Sequence, residues 1–223
     1  MRILILGANG RTGQLATSKA LEHGHTVTAL VRRPSSMQAQ QGLVVIEGTP
    51  LSQADIEKAF SATPDDPVQA VLVTLNNPRA SDNPFSKPIA PPYFIRDSVR
   101  NVTTVMRNHG VKEIIIMSSV GIGNSFSQIP WITKLLFRYT NMRSVMGDHD
   151  ALDAVIHESH DLDWTLVRPT MLKDGGAAPI RELGEIGEGV GLFDATTRAS
   201  VAEFMVRAVE ADTWTKKAVV ITN

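Results

Sequence analysis

Apolar residues along this chain gather into two alternating kinds of run. The short, almost unbroken stretches RILIL (2–6), TVTALV (26–31), LVVI (43–46), AVLVTL (70–75), EIIIMS (113–118) and WTLV (164–167) read as buried strands, and AVVIT (218–222) adds another near the C-terminus. Between them the apolar positions open to spacings of three and four. That predicts amphipathic helices near 12–23, 52–60, 93–109, 142–158 and 200–210. Ser52 with Asp55, and Ser200 with Glu203, have the spacing of capping boxes. Strands without polar alternation cannot turn a face to water, so strand–helix alternation predicts a parallel sheet covered on both faces, an α/β fold. No internal repeat or low-complexity linker divides it, and a single domain over residues 1–223 is expected.

Two stretches break the rhythm. Residues 76–92, NNPRASDNPFSKPIAPP, hold five of the twelve prolines and predict an irregular loop at the C-terminal end of a strand, where open α/β sheets bind ligands. Residues 174–194, DGGAAPIRELGEIGEGVGLFD, are rich in glycine and predict a small cap or hairpin, either on the substrate side or as surface decoration.

Composition narrows the partners. The 223 residues are 43% hydrophobic and 20% charged, ordinary for a globular protein. A net charge of -1 provides no general attraction to nucleic acid or to an anionic membrane. Without cysteine there is no disulfide, thiol nucleophile or thiolate metal site. Ile3–Leu6 is too short for a signal-peptide core or a membrane span, and no later apolar run is long enough to cross a bilayer. A soluble cytoplasmic monomer or homodimer acting on a small molecule is the expectation. The segment IPWITKLLFRYTNMRSVM (129–146) sets Trp131, Leu135 and Phe137 among Lys134, Arg138 and Arg143. Such a basic amphipathic helix can lie on a membrane, but the net charge favours packing over the sheet as the wall of an apolar pocket.

The first strand runs straight into a glycine loop, MRILILGANGRTG. Gly7 permits a tight turn, Gly10 lets backbone approach a pyrophosphate, and Gly13 allows close helix–sheet packing. With Asn9, Arg11 and Thr12 between them, they would present unpaired N–H groups of a helix N-terminus to an anion. A strand before, a helix after and a second strand at 26–31 make this a dinucleotide site rather than a bare turn. The second strand ends in ALVRRP. An NAD site would put an acid there for the ribose hydroxyl, whereas Arg32 and Arg33 suit a 2′-phosphate, so NADP is the expected cofactor.

These motifs, with HGVKEIIIMSSVG (109–121), GDHDALDAVIHES (147–159) and DWTLVRP (163–169), resemble the atypical short-chain dehydrogenase/reductase superfamily. Within its NAD(P)-binding, NmrA-like group the chain is most similar to the small biliverdin-IX-beta reductase/flavin reductase type. The resemblance implies a doubly wound Rossmann-like sheet with a small C-terminal substrate-side extension. It also implies a nicotinamide end near Ser118, Ser119 and the turn after Pro169, with Asn76 and Thr170 among the cofactor contacts. The superfamily's Tyr-x-x-x-Lys pair is missing. Tyr93 is followed four later by Asp97 and Tyr139 by Arg143, and in register the lysine position falls on His149 and the tyrosine position on Val145. Thr49 stands where relatives often carry an aspartate for adenine, and Asn76 and Asn77 replace small residues after the fourth strand.

His149 is also reached from periodicity alone. Val145, His149, Leu152 and Ile156 share the inward stripe of their helix, so His149 either bonds ribose or substrate, relays a proton, or is a hydrogen-bonded core histidine. Ser118 and Ser119 end the fifth strand and either bond a substrate carbonyl or satisfy the turn that follows. Ser119, His149 and Ser118 are thus the catalytic candidates. His149, Asp153 and His157 have helical spacing, but no further ligands accompany them and no metal is expected. Three functions fit these residues: an NADPH-dependent reductase of a bulky conjugated or carbonyl substrate, a non-catalytic NADP sensor, and a cofactor-assisted isomerase or lyase.

Overall fold

The computed structural model describes residues 1–77, 89–139 and 142–223, and side chains outside 136–145. In chain order the elements are β1 (Arg2–Leu6), α1 (Arg11–Glu22), β2 (Thr26–Val31), β3 (Leu43–Glu47), α2 (Gln53–Phe60), β4 (Val68–Val73), α3 (Phe94–His109), β5 (Glu113–Met117), α4 (Trp131–Tyr139), α5 (Met142–His157), β6 (Asp163–Pro169), β7 (Met171–Lys173), β8 (Arg181–Glu182), β9 (Ala195–Thr197), α6 (Arg198–Glu210) and β10 (Lys217–Thr222). The main sheet has the order β3-β2-β1-β4-β5-β6-β10-β8, and β7 pairs with β9 apart from it. All the main-sheet pairs are parallel except β8 with β10.

Alternation along β1 sorts two cores. Leu4 and Leu6 join Ile56, Val99, Val102, Leu152 and Ile156 beneath α2, α3 and α5. Ile3 and Ile5 join Ala20, Val201 and Met205 beneath α1 and α6. Each such leucine, isoleucine, valine or methionine contributes about 1.5–3 kcal/mol relative to leaving it in water. Burial on both faces is why the strands read as continuous apolar runs. The chain winds outward from β1 to β3, then crosses back to β4 and winds the other way. The switch between β1 and β4 opens a crevice at their C-terminal ends.

The differences from the sequence pattern have local causes. β4 starts at Val68 because its register shifts opposite Arg2 and Ile3, leaving Gln69 exposed and interrupting the apolar run. β6 continues through Arg168, which is fully buried because Asp153 pairs with it at 2.6 Å. Ser52 does cap α2, accepting from Asp55 N–H at 3.2 Å. Ser200, by contrast, is not the cap of α6. Extended Thr197 is, and the Ser200 N–H donates to its hydroxyl at 3.2 Å. The 129–146 stretch holds the separate helices α4 and the start of α5, with 140 and 141 outside the described residues, as are 78–88 of the proline-rich loop. The strands β7, β8 and β9 are too short for an alternating period to register. Residues 174–194 leave β7, lay β8 along β10 and return to β9.

Candidate functional site

Gly7 follows β1 with φ +87°, and a Cβ there would lie 3.0 Å from the Thr74 carbonyl carbon. Its carbonyl accepts from Gly10 N–H at 2.8 Å, which closes the turn. Gly13 packs so tightly that a Cβ would come within 2.0 Å of the Gly7 oxygen. Gly10 is the extended N-cap of α1; no side chain caps this helix and its first turn holds no acid. Gly7, Asn9, Gly10, Arg11 and Thr12 line a cleft of about 430 Å³, and Arg32, Arg33 and Asn76 line it too. Gly13 does not; its role is to bring helix and loop together.

The loop after β3 forms the far wall through Gly48 and Pro50. A carboxylate reaches it, though not from position 49: Asp55 on α2 accepts from Thr49 N–H at 2.9 Å. It pins the loop rather than lining the cleft. Beyond β4, Asn76 Oδ1 accepts from Asn77 N–H at 2.8 Å, and the buried Asn77 Oδ1 has no partner.

The cleft runs on into a second of about 660 Å³, sharing Arg11, Leu75, Asn76, Met117, Leu172 and Arg198. Ser118, Ser119, His149, Pro169 and Thr170 line this half, with Val120, Ile129 and Met146 among its apolar walls. The two serines differ. Ser119 donates to the Val120 carbonyl at 3.1 Å, whereas Ser118 is buried and its hydroxyl has no partner. The Thr170 hydroxyl is held by those of Thr196 and Thr222, at 2.8 and 3.1 Å.

His149 is buried beside Leu152 and Ile156, and its Nδ1 also lacks a partner. Burial pushes its pKa down to about 4, against the opposing pull of Asp148, so the ring is neutral at physiological pH. Asp148 faces the other way. Its carboxylate accepts from Ile95 N–H at 2.9 Å and Arg96 N–H at 3.0 Å, capping α3 from another helix. α3 needs this, because its own N-cap, Tyr93, is left-handed at φ 58° and provides no side-chain bond. Asp150 accepts from Gly123 N–H at 3.1 Å. His157 and Asp153 do not converge with His149: Asp153 holds Arg168, and the His157 ring packs on Trp164 at 4.6 Å. Among the described residues no three His, Cys, Asp or Glu side chains are grouped to hold a metal. The side chains of Phe137, Arg138, Tyr139, Arg143 and Val145 lie outside the described residues.

Sequence reasoning missed four residues that build this region: Asp55, Asp148, Arg168 and Arg198. Asp55 had a partial signal in its capping spacing, and Asp148 in its position beside His149. Arg198 had none.

The residues present fit a dinucleotide. An uncapped helix N-terminus without first-turn acids, a loop in which Cβ atoms would collide, and two arginines at the end of β2 suit an extended polyanion. Strand order, switch point and glycine loop together define a Rossmann-like α/β domain with a mostly parallel sheet. The chain belongs to the NAD(P)H-binding family, whose sequence profile matches residues 7–212. It is 23% identical over 216 residues, 84% of this chain and 82% of the relative, to reductase pytE of Aspergillus terreus. Among solved structures it is similar to ChuY, an anaerobilin reductase from Escherichia coli O157:H7, with TM-score 0.76, 19% identity and coverage of 99% and 96% of the two chains. It is also similar to a putative NAD-dependent epimerase/dehydratase from Bacillus halodurans, with TM-score 0.77, 20% identity and coverage of 100% and 94%.

Proposed function

We propose that this protein is an NADPH-dependent reductase of the atypical short-chain dehydrogenase/reductase kind, acting on a bulky conjugated or carbonyl acceptor such as a flavin, tetrapyrrole, quinone or ketone. The observation that carries the proposal is the pair of buried, unpartnered polar atoms, Ser118 Oγ and His149 Nδ1, on a largely apolar cleft continuous with the dinucleotide cleft. Buried polar atoms are nearly always paired, so two unpartnered ones on residues that line one cleft support a ligand-binding role for these side chains. Exposed Trp131 and Phe193 neighbour its lining residues Pro130 and Leu192 and suit a large apolar acceptor. The resemblance to the biliverdin-IX-beta reductase/flavin reductase type, and the reductases named above, support the same class.

When bound, NADPH supplies the hydride. Arg32 and Arg33 hold its 2′-phosphate with charge-assisted bonds, and the N-terminus of α1 holds the pyrophosphate. Ser118 donates to an acceptor oxygen or to the carboxamide. His149, with so low a pKa, works as a neutral hydrogen-bonding ring rather than as a charged acid. Catalysis is then mainly positioning, with the proton drawn from solvent. The sequence holds no Tyr-x-x-x-Lys to do otherwise.

The test is NADPH oxidation, followed by absorbance, against a panel of flavins, quinones, tetrapyrroles and ketones. Turnover with at least one acceptor is expected. Tight NADPH binding with no oxidation of any acceptor would refute the reductase and favour the sensor.

A further inference from the structure

Where the two clefts meet, two guanidinium groups share one carboxylate. Arg198, at the start of α6, has a side chain only 11% exposed, and its Nη1 donates to Asp174 Oδ1 at 2.6 Å. Arg11, at the start of α1, brings Nη1 to 3.8 Å from Asp174 Oδ2. Both arginines line both clefts, and Asp174 lines the second.

We propose that Asp174 is a displaceable internal anion, lodged between Arg198 and Arg11 where an anionic oxygen group of a ligand binds. The proposal rests on the NADPH-dependent reading above. Three features of the site support it. A guanidinium as buried as that of Arg198 requires an anionic or hydrogen-bonding partner at all times. The partner it has is carried on a side chain that is itself 74% exposed, so the carboxylate can give way to another anion without leaving a buried charge of its own. The carboxylate also sits on a glycine joint. Gly175 has φ +146°, which side-chain-bearing residues rarely adopt, and nothing lies within 4 Å of a Cβ at Gly176. Asp174 can therefore swing out without dragging packed side chains.

The incoming group is a phosphate or carboxylate, contributed either by the dinucleotide or by the acceptor. In both cases Asp174 competes with it and lowers apparent affinity. Once displaced, Asp174 releases the start of the 174–194 segment from α1 and α6. Arg198 is then the residue through which an anion on the ligand is selected.

Calorimetric titration of wild type, Asp174→Asn and Asp174→Glu with NADPH, and separately with riboflavin and FMN, tests this. These flavins differ by one phosphate. Asp174→Asn is expected to bind NADPH about three- to fivefold tighter, the scale of one exposed ion pair. Asp174→Glu keeps the charge and is expected to stay near wild type. If NADPH is unchanged but FMN tightens and riboflavin does not, the displacing group belongs to the acceptor. Equal affinities of wild type and Asp174→Asn for both NADPH and FMN, or weaker binding by the variant, would overturn the proposal alone. Wild type that binds no NADPH would instead overturn the reductase reading on which it rests.

Discussion

Asp148 is the residue whose removal is expected to be felt most widely. It is 1% exposed and accepts from two backbone N–H groups, those of Ile95 and Arg96, at 2.9 and 3.0 Å. Hydrogen bonds to a charged group are worth about 1.5–3 kcal/mol each, and loss of an N-cap about 0.5–2 kcal/mol. Because both donors sit at one helix end and share one carboxylate, the two terms overlap. Asp148→Ala is expected to cost about 3 kcal/mol in total. Asp148→Asn, which keeps one acceptor oxygen, is expected to cost roughly half of that. Asp150→Ala is the control: its side chain is exposed and holds one N–H, that of Gly123, so its effect should stay within about 0.5 kcal/mol. Urea unfolding at neutral pH measures all three, provided the m-value is unchanged. NADPH affinity should fall in parallel, because Phe94 at the start of α3 lines the dinucleotide cleft. A loss below about 0.5 kcal/mol in Asp148→Ala would refute the cross-helix cap.

Three further outcomes are expected. Arg32→Ala and Arg33→Ala should each narrow the preference for NADPH over NADH measured by calorimetry; equal affinities in the unaltered protein would exclude a 2′-phosphate site. Gly13→Ala should lower both Tm and NADPH affinity, since its methyl would meet the Gly7 oxygen at 2.0 Å; native Tm and affinity would refute the close approach. Glu113 has its pKa raised to about 7 by burial, with Asp163 and Asp212 adding repulsion. Because the folded state holds this proton more tightly, stability is greatest below the ordinary carboxylate range and falls as pH rises toward 7. Glu113→Gln should therefore raise Tm relative to wild type at about pH 8 and much less at about pH 5. A gain equal at both pH values would refute the shift.

Much of the architecture is legible because it is written in local periods. β1, its glycine loop and α1 follow from one unbroken apolar run, three glycines and the helical spacing after them, and the double burial of Ile3, Leu4, Ile5 and Leu6 gives the strand its unbroken pattern. What escapes is set by contacts distant in sequence. Thr197 rather than Ser200 caps α6 because β9 delivers an extended residue to its start, and β9 exists only through pairing with β7. Arg168 sits in an evident motif, yet its burial depends on Asp153, fifteen residues earlier on another element. Arg198 belongs to no motif, and its meaning comes from Asp174 and the junction of two clefts. The cofactor half was readable because the glycine spacing encodes it locally. The acceptor half is assembled from β5, α5, β6 and the segment after β7, and no spacing in one stretch reports that assembly.

Ser118 brings the stability and the proposed function of that acceptor half into opposition. Its hydroxyl is buried without a partner while the following serine bonds its neighbour's carbonyl, although both directly follow β5. An unpaired buried polar group costs about 1–3 kcal/mol, and an apolar replacement of similar shape removes that cost. Ser118→Ala should therefore unfold at the same temperature as wild type or a few degrees higher, an outcome opposite to that of most buried substitutions. If the hydroxyl orients an acceptor or the carboxamide, the same variant should lose turnover by about tenfold or more, the scale of one lost hydrogen bond. Ser119→Ala should show neither gain in Tm nor loss of that size, because its hydroxyl is already engaged. Thermal unfolding and NADPH oxidation with the best acceptor of the panel separate the two effects. A Ser118→Ala protein that is both less stable and fully active would show that the hydroxyl serves the fold, and would remove it from the proposed site.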